Sequence, residues 1–378
     1  MSRSILVSAG EASGDLYAAR LVQALRRRMP STRFFGCAGH RMQAAGVEPV
    51  VDAANLSVVG LVEVVSHIPR IYGEYRKLLA SARKQRPALA ILTDSPDFHL
   101  RVAAQLRKLD IPVCYLVAPQ AWAWRKGRIH SLRRNVDRLL CIFPFEEKFF
   151  CDNGVRAFYI GHPLASLVAP SCRREDFFGK HKIPRDKPLV ALLPGSRTGE
   201  IGRHLPAVLD CAQQLERRIP VTYVLAVPSG SRVAKDLREK TRGTAIRIVE
   251  GETWDVLAHS DVALAASGTV TIEAALLGTP MVTFYRVTGL SWFIGKFLVD
   301  VPFYSMVNLV AEKKVVPELM QGEMTGARLA DEAARLLTDA PARHRMKEEL
   351  ATVARKLSSD HDPIERAADL AEELLKGK

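Results

Sequence analysis

A chain of 378 residues is longer than one ordinary core serves, so two domains are expected. With 48% hydrophobic and 25% charged residues the composition is globular; there is no low-complexity tract, no solenoid-period repeat, and no uncharged apolar run of the roughly 18–20 residues that span a bilayer. The net charge of +13 is unevenly spread: residues 1–150 hold 23 Lys and Arg against 12 Asp and Glu, and the remainder hold 31 against 29. The first half is therefore expected to meet something anionic, either nucleic acid or an acidic membrane surface.

Strand-like and helix-like runs alternate throughout, which predicts an α/β protein with parallel sheets. The first apolar run is too short for a signal peptide and reads as a strand, Ser4–Ser8, followed by strands at Arg33–Cys37, Leu89–Thr93, Val113–Val117, Arg138–Phe143 and Ala157–Ile160. Helices fall between them, among them Asp15–Arg28 and Arg101–Leu109. A polar stretch from Ser171 to Pro188 reads as a linker. Strands resume at Leu189–Leu193, Thr222–Val227, Ile246–Val249, Val262–Ala266 and Met281–Phe284, and helices close the chain at Arg328–Leu337, Pro341–Lys356 and Pro363–Leu375. The expected division is residues 1–170, residues 185–340, and terminal helices 341–378 that return to an N-terminal domain, their own or a partner's. Two doubly wound domains of this kind bind ligands in the crevice at the carboxyl ends of their strands.

The residues able to carry chemistry stand at those strand ends. Leu89–Thr93 runs into Asp94-Ser-Pro-Asp97-Phe-His99. An Asp at the end of a buried strand is held rigidly and suits a general base; a structural turn carboxylate is the alternative for Asp94. Asp97 reads as a cap for the helix that follows, and His99 as a first-turn residue facing a neighbour, with a catalytic part left open. Gly10-Glu11-Ala-Ser13-Gly14-Asp15 joins the first strand to the first helix and offers amides and the Ser13 hydroxyl to a ligand. It is not Gly-x-Gly-x-x-Gly, and no acidic residue closes the second strand, so a dehydrogenase is disfavoured. Trp122-Ala-Trp124-Arg125 lies beside a basic run; it suits stacking on nucleic acid, or better, with no recognised nucleic-acid module around it, a cleft wall holding a phosphate and a sugar face.

In the second half, Gly195-Ser196-Arg197 follows a strand, and Arg197 offers a fork to a diphosphate. Ala266-Ser267-Gly268-Thr269-Val-Thr271-Ile-Glu273 joins another strand to a helix. Gly268 admits close approach of a ligand, the Thr269 and Thr271 hydroxyls can cap the first helical amides, and the helix N-terminus suits a diphosphate. Glu273, alone among small and apolar neighbours, can accept both hydroxyls of a ribose. Together these features predict a nucleotide sugar. No His cluster has metal-ligand spacing, and the scattered cysteines (Cys37, Cys114, Cys141, Cys151, Cys172, Cys211) form no Cys-x-x-Cys pair; buried thiols are expected, and neither a metal nor a cofactor is. Val58–Tyr72 is very apolar and is followed by Arg76, Lys77, Arg83, Lys84 and Arg86. It is either a core helix or an exposed patch that docks on anionic lipid through Val62, Val65 and Ile68.

Seven motifs in order carry a resemblance that covers essentially the whole chain: Ala9–Asp15, Ala38-Gly39 with Arg41-Met-Gln43, Asp94–Phe98, Trp122–Arg125, Ile160-Gly-His162, Leu192–Arg197 and Ala266–Thr269. The sequence resembles the lipid-A-disaccharide synthases, bacterial inverting glycosyltransferases of family 19 with the two-domain GT-B architecture. That resemblance implies a UDP-2,3-diacylglucosamine donor, a 2,3-diacylglucosamine 1-phosphate acceptor, and a β-1,6-linked lipid A disaccharide with UDP as products. It places Asp94 at the proposed catalytic base and Arg197, Glu273 and Asn308 at nucleotide positions, with Ser196, Gly195, Ser267, Gly268 and Thr269 around them. Glu11, Ser13, Asp97, Trp122, Trp124 and Arg125 are then expected on the acceptor side. His99 stands where these enzymes often have Asn. A cytoplasmic protein held peripherally at the anionic inner membrane, with no nucleic-acid partner and a possible homodimer, completes the expectation.

Overall fold

The computed structural model describes residues 3–56, 61–228, 233–289, 292 and 301–377, with side chains of 61–67 outside the description. The chain divides into two compact units: one runs through Ser166 and resumes at Leu357, and the other lies between them.

In the first unit, seven strands form one parallel sheet: β1 (Ser4–Ala9), β2 (Arg33–Ala38), β3 (Val47–Asp52), β4 (Leu89–Thr93), β5 (Val113–Leu116), β6 (Arg138–Cys141) and β7 (Ala157–Tyr159), in the order β3-β2-β1-β4-β5-β6-β7. Both faces are covered by helices, so β4 (Leu-Ala-Ile-Leu-Thr) is buried at every position and reads as a continuous apolar run rather than an alternating one. The order reverses between β1 and β4, where Ser8 pairs with Leu92 and Ala9 with Thr93. That reversal opens a crevice beyond the strand ends in this architecture.

The second unit repeats the plan with six strands, β8 (Leu189–Leu193), β9 (Thr222–Val227), β10 (Ile246–Glu250), β11 (Val262–Ala266), β12 (Met281–Tyr285) and β13 (Glu318–Met320), in the order β10-β9-β8-β11-β12-β13. Its reversal lies between β8 and β11, where Leu193 pairs with Ala265. The doubly wound α/β class expected from the sequence is present in both units.

Two local expectations change. Residues 171–188 are not a plain linker: Arg174–Lys180 is a helix that buries Phe177 and Phe178. Two adjacent aromatics amid charges carry too little periodicity to signal this. Strand β3 and the short β13 went unread, because Pro49 and polar neighbours break their patterns. The helix over Leu61–Gln85 carries Ile68 and Tyr72 as exposed side chains. Val62 and Val65 of the expected docking stretch lie outside the described side chains, as do residues 57–60.

The last helix, Pro363–Lys376, belongs to the first unit. Asp362 caps it, accepting from the amides of Ile364 and Glu365 at 2.8 and 3.0 Å, and Pro363 occupies the first helical position, where no amide is needed. It packs on the Ala12–Arg28 helix of its own chain. There Arg28 binds Glu365 at 2.5 Å, Asp369 at 2.7 Å and Glu372 at 3.3 Å, acids one face of the helix presents at i, i+4 and i+7.

Candidate functional site

The first candidate site is built at the β1/β4 reversal. Asp94 follows β4 and is half-buried; its Oδ1 accepts the Gly10 amide at 2.9 Å and its Oδ2 the Glu11 amide at 3.1 Å. The Ala12–Arg28 helix comes so near that a Cβ at Gly14 would collide with the Asp94 carboxylate, which is why that position has no side chain. Burial, with the negative charge of Glu11 added, pushes the Asp94 carboxyl up to about 8; the two amides pull the other way. Asp94 and Ser95 both hold left-handed backbones, φ +56° and +38°, in residues that have a Cβ. Strain of this kind, about 1–3 kcal/mol per residue, persists where surroundings impose it and gathers at functional sites. The Asp94 carbonyl accepts from Tyr115 Oη at 2.5 Å and from His99 Nδ1 at 2.9 Å, and His99 Nε2 stands 2.7 Å from Ser8 Oγ.

The other first-half residues are held by contacts the sequence does not record. Asp97 is not a cap; Ser95 occupies the N-cap position, and Asp97 pairs with Arg125 at 2.7 Å and Arg128 at 2.9 Å. Those two guanidinium groups each lie 4.6 Å from the Trp124 ring, so Trp124, Arg125, Arg128 and Asp97 form one stacked cluster with a net positive charge. Trp122 does not stand open as a wall: its indole donates to Glu146 at 3.1 Å, and the ring packs edge-on to Phe145 and against the core. Glu146 is fully buried, also accepts the amides of Ile142 and Phe143, and is pushed up to about 7 by burial. Glu11 is exposed and Ser13 partly so.

Asp15 was missed. Its buried carboxylate accepts the amides of Gly39, Arg41 and Met42 at 2.9, 3.0 and 3.2 Å, capping the His40–Ala44 helix. The motif ending at Asp15 and the motif from Ala38 to Gln43 are thus two sides of one brace.

The second candidate site lies at the β8/β11 reversal. Gly195 has φ +125°, and a Cβ there would collide with the buried Glu200, whose carboxylate accepts the Ser196 amide at 3.2 Å. Ser196 and Arg197 are exposed, with Arg197 at the N-cap of the Thr198–Glu216 helix. The buried His204, also missed, donates from Nδ1 to the Pro194 carbonyl at 2.7 Å and accepts the Arg286 amide on Nε2 at 2.9 Å. It bolts the turn after β8 to the turn after β12.

At β11 the expectation for the threonines is corrected. Thr271 Oγ1 donates back to the Gly268 carbonyl at 2.7 Å, and the Thr269–Leu276 helix has no side-chain cap on its N-terminal amides. Its exposed start is left to an outside acceptor such as a phosphate oxygen. Gly268 is extended, and Ser267 Oγ donates to the Tyr304 carbonyl at 3.2 Å. Glu273 is half-buried one turn into the helix. Asn308, expected at the nucleotide, is fully buried and spends its amide on its own loop: Nδ2 donates to the Val316 carbonyl and Glu318, and Oδ1 accepts the Val315 and Val316 amides, all at 2.8–2.9 Å.

Among the described residues Cys172, Asp255 and His259 place ligand-type atoms within 4.8 Å of one another. Asp255 there accepts the Ser171 amide and hydroxyl, and His259 Nε2 donates to the Cys172 carbonyl, so the group braces residues 171–172 to the Thr253–His259 helix. Cys151 is exposed, whereas Cys37, Cys114, Cys141 and Cys211 are buried.

Comparison with known proteins gives these two sites a context. Among solved structures, a UDP-GlcNAc 2-epimerase from Neisseria meningitidis bound to UDP-GlcNAc superposes with a TM-score of 0.65 at 12% identity, over 99% of this chain and 100% of that one. A calicheamicin glycosyltransferase superposes with a TM-score of 0.62 at 17% identity, over 100% and 99%. Both identities support the GT-B fold alone. The sequence goes further. It is 61% identical over 374 residues to a lipid-A-disaccharide synthase of Solibacter usitatus, covering 99% of this chain and 98% of that one. It is 42% identical to a lipid-A-disaccharide synthase of Myxococcus xanthus over 98% and 97% of the two chains. The family model described as lipid-A-disaccharide synthetase matches residues 5–372. The chain belongs to the lipid-A-disaccharide synthase family, glycosyltransferases of lipid A biosynthesis.

Proposed function

We propose that this enzyme transfers the 2,3-diacylglucosaminyl group of UDP-2,3-diacylglucosamine to the 6-hydroxyl of 2,3-diacylglucosamine 1-phosphate, with inversion. The acceptor oxygen forms a bond to the anomeric carbon as the bond from that carbon to UDP breaks, giving the β-1,6-linked disaccharide and UDP. Asp94 takes the hydroxyl proton. The observation that carries this reading is the Asp94 carboxylate itself, held by the Gly10 and Glu11 amides on a left-handed turn at a strand end and raised to about 8. A base of that affinity is matched to a hydroxyl that becomes acidic only as the bond forms.

On the donor side, Arg197 and the uncapped amides of the Thr269–Leu276 helix stabilise the departing diphosphate, and Glu273 accepts the ribose hydroxyls. Asn308 acts by bracing the loop from Ser305, since its amide is engaged within that loop. Developing positive charge at the anomeric carbon follows from sugar chemistry. Exposed Ile68 and Tyr72, beside the basic residues of their helix, support peripheral docking on anionic lipid, where acylated substrates reside.

The test is incubation of the purified protein with the two acylated sugars. Disaccharide and UDP are expected in equal amounts. Turnover of UDP-N-acetylglucosamine without acyl chains would favour a 2-epimerase or a peptidoglycan-type transferase instead, and tight UDP binding with no product would favour a non-catalytic binder.

A further inference from the structure

The buried group beneath Asp94 has no part in the mechanism above. His99 is fully buried on the first turn of the Pro96–Arg107 helix. Its Nδ1 faces the Asp94 carbonyl at 2.9 Å. A carbonyl can only accept, so Nδ1 carries the proton. Nε2 is then bare and accepts the Ser8 hydroxyl at 2.7 Å. One neutral tautomer satisfies both contacts, and burial holds the ring's proton affinity down at about 4. Tyr115 Oη donates to the same Asp94 carbonyl.

These bonds join three elements: Ser8 on β1, Tyr115 on β5, and the turn after β4. Ser8 lies two residues before Gly10, whose amide holds the Asp94 carboxylate. The backbone and the side chain of Asp94 are therefore referenced to the same strand end. The strain at Asp94 and Ser95 needs such an anchor, because Asp enters the left-handed region only occasionally, as a single residue, and Ser95 follows it there.

We propose that His99 is a positioning residue for Asp94: as a single neutral tautomer between the Ser8 hydroxyl and the Asp94 carbonyl, and together with Tyr115, it keeps the left-handed turn that aims the carboxylate. The proposal rests on the reading of Asp94 as the base.

Kinetics of His99→Phe, His99→Asn, Tyr115→Phe and Asp94→Asn, with the two acylated sugars as substrates and thermal melts alongside, test it. His99→Phe is expected to fold and to lower kcat by about 10²-fold with the donor KM unchanged, the usual effect of a reacting group displaced by about 1 Å. His99→Asn, whose amide can donate to the same carbonyl, is expected to recover most of kcat. In an Asp94→Asn background, His99→Phe is expected to cost nothing further, because its effect passes through the carboxylate. Multiplicative losses in that double variant, or a raised KM at unchanged kcat, would overturn the proposal and leave Asp94 as base. Near-normal turnover of Asp94→Asn alone would overturn the base and the proposal together. Where His99→Phe does not fold, Ser8→Ala and Tyr115→Phe give the answer: a kcat loss in both, absorbed by Asp94→Asn, supports the clamp, and unchanged kcat in both overturns it.

Discussion

Asp94 and Glu11 are bound through the backbone and opposed through charge. The Glu11 amide donates to Asp94 Oδ2 at 3.1 Å, while the Glu11 carboxylate, after burial, is the next largest cause of the raised proton affinity of Asp94. One residue thus fixes the position of the Asp94 carboxylate and also raises its proton affinity.

A pH profile should report this. A base acts in its ionised form, and the Asp94 carboxyl is raised to about 8, so with Asp94 in the proposed role kcat/KM should climb with pH and level off above that value. Glu11→Gln removes a negative charge, eases ionisation, and should move the limb to lower pH. A limb that stays in place in Glu11→Gln would show that Glu11 does not tune the base.

Asp94→Asn is expected to keep the fold and lose roughly 10²–10⁴ of turnover at saturating substrate, the usual worth of a positioned base. Single-turnover assays check it, and near-wild-type rates would remove Asp94 from the chemistry.

Glu273→Ala and Arg197→Ala should each weaken UDP binding by on the order of 1.5–3 kcal/mol, the range for charge-assisted hydrogen bonds. Calorimetry with UDP is the measurement; equal affinities in wild type and both variants would end the donor assignment of the second unit.

Asn308→Ala should act on stability first. It removes the four hydrogen bonds of a fully buried amide, and leaving one buried polar group unsatisfied costs about 1–3 kcal/mol. Urea unfolding should show a lowered midpoint. An unchanged midpoint with lost UDP affinity would instead mean that Asn308 contacts the nucleotide.

Ile68→Ser with Tyr72→Ser should reduce binding to anionic vesicles without lowering stability, because both side chains are exposed, at 53% and 59%. Binding should also fall with salt, as the screening length shortens from about 10 Å at 0.1 M to about 3 Å at 1 M. Vesicle sedimentation decides it; undiminished binding of the double variant would clear this helix of a docking role.

Some of this was written in the sequence by itself. Strands such as Leu89–Thr93, Leu189–Leu193 and Val262–Ala266 are buried on both faces and so appear as apolar runs. The turns that follow them need glycine or a short polar side chain, which made Asp94, Gly195 and Ser267 legible as candidates. Local chemistry of this kind survives in one dimension because its causes lie within a few residues. The tertiary structure alone decided the pairings between distant residues: Asp15 with the Gly39–Met42 amides, Ser8 with His99 across 91 residues, and Arg28 with Glu365 across 337. It also separated Asp94 from Asp97, one carboxylate held by amides and the other neutralised by Arg125 and Arg128, and it turned Asn308 inward. A carboxylate or an amide takes its role from whatever donors the fold brings within about 3 Å, and no spacing along the chain records which donors those are.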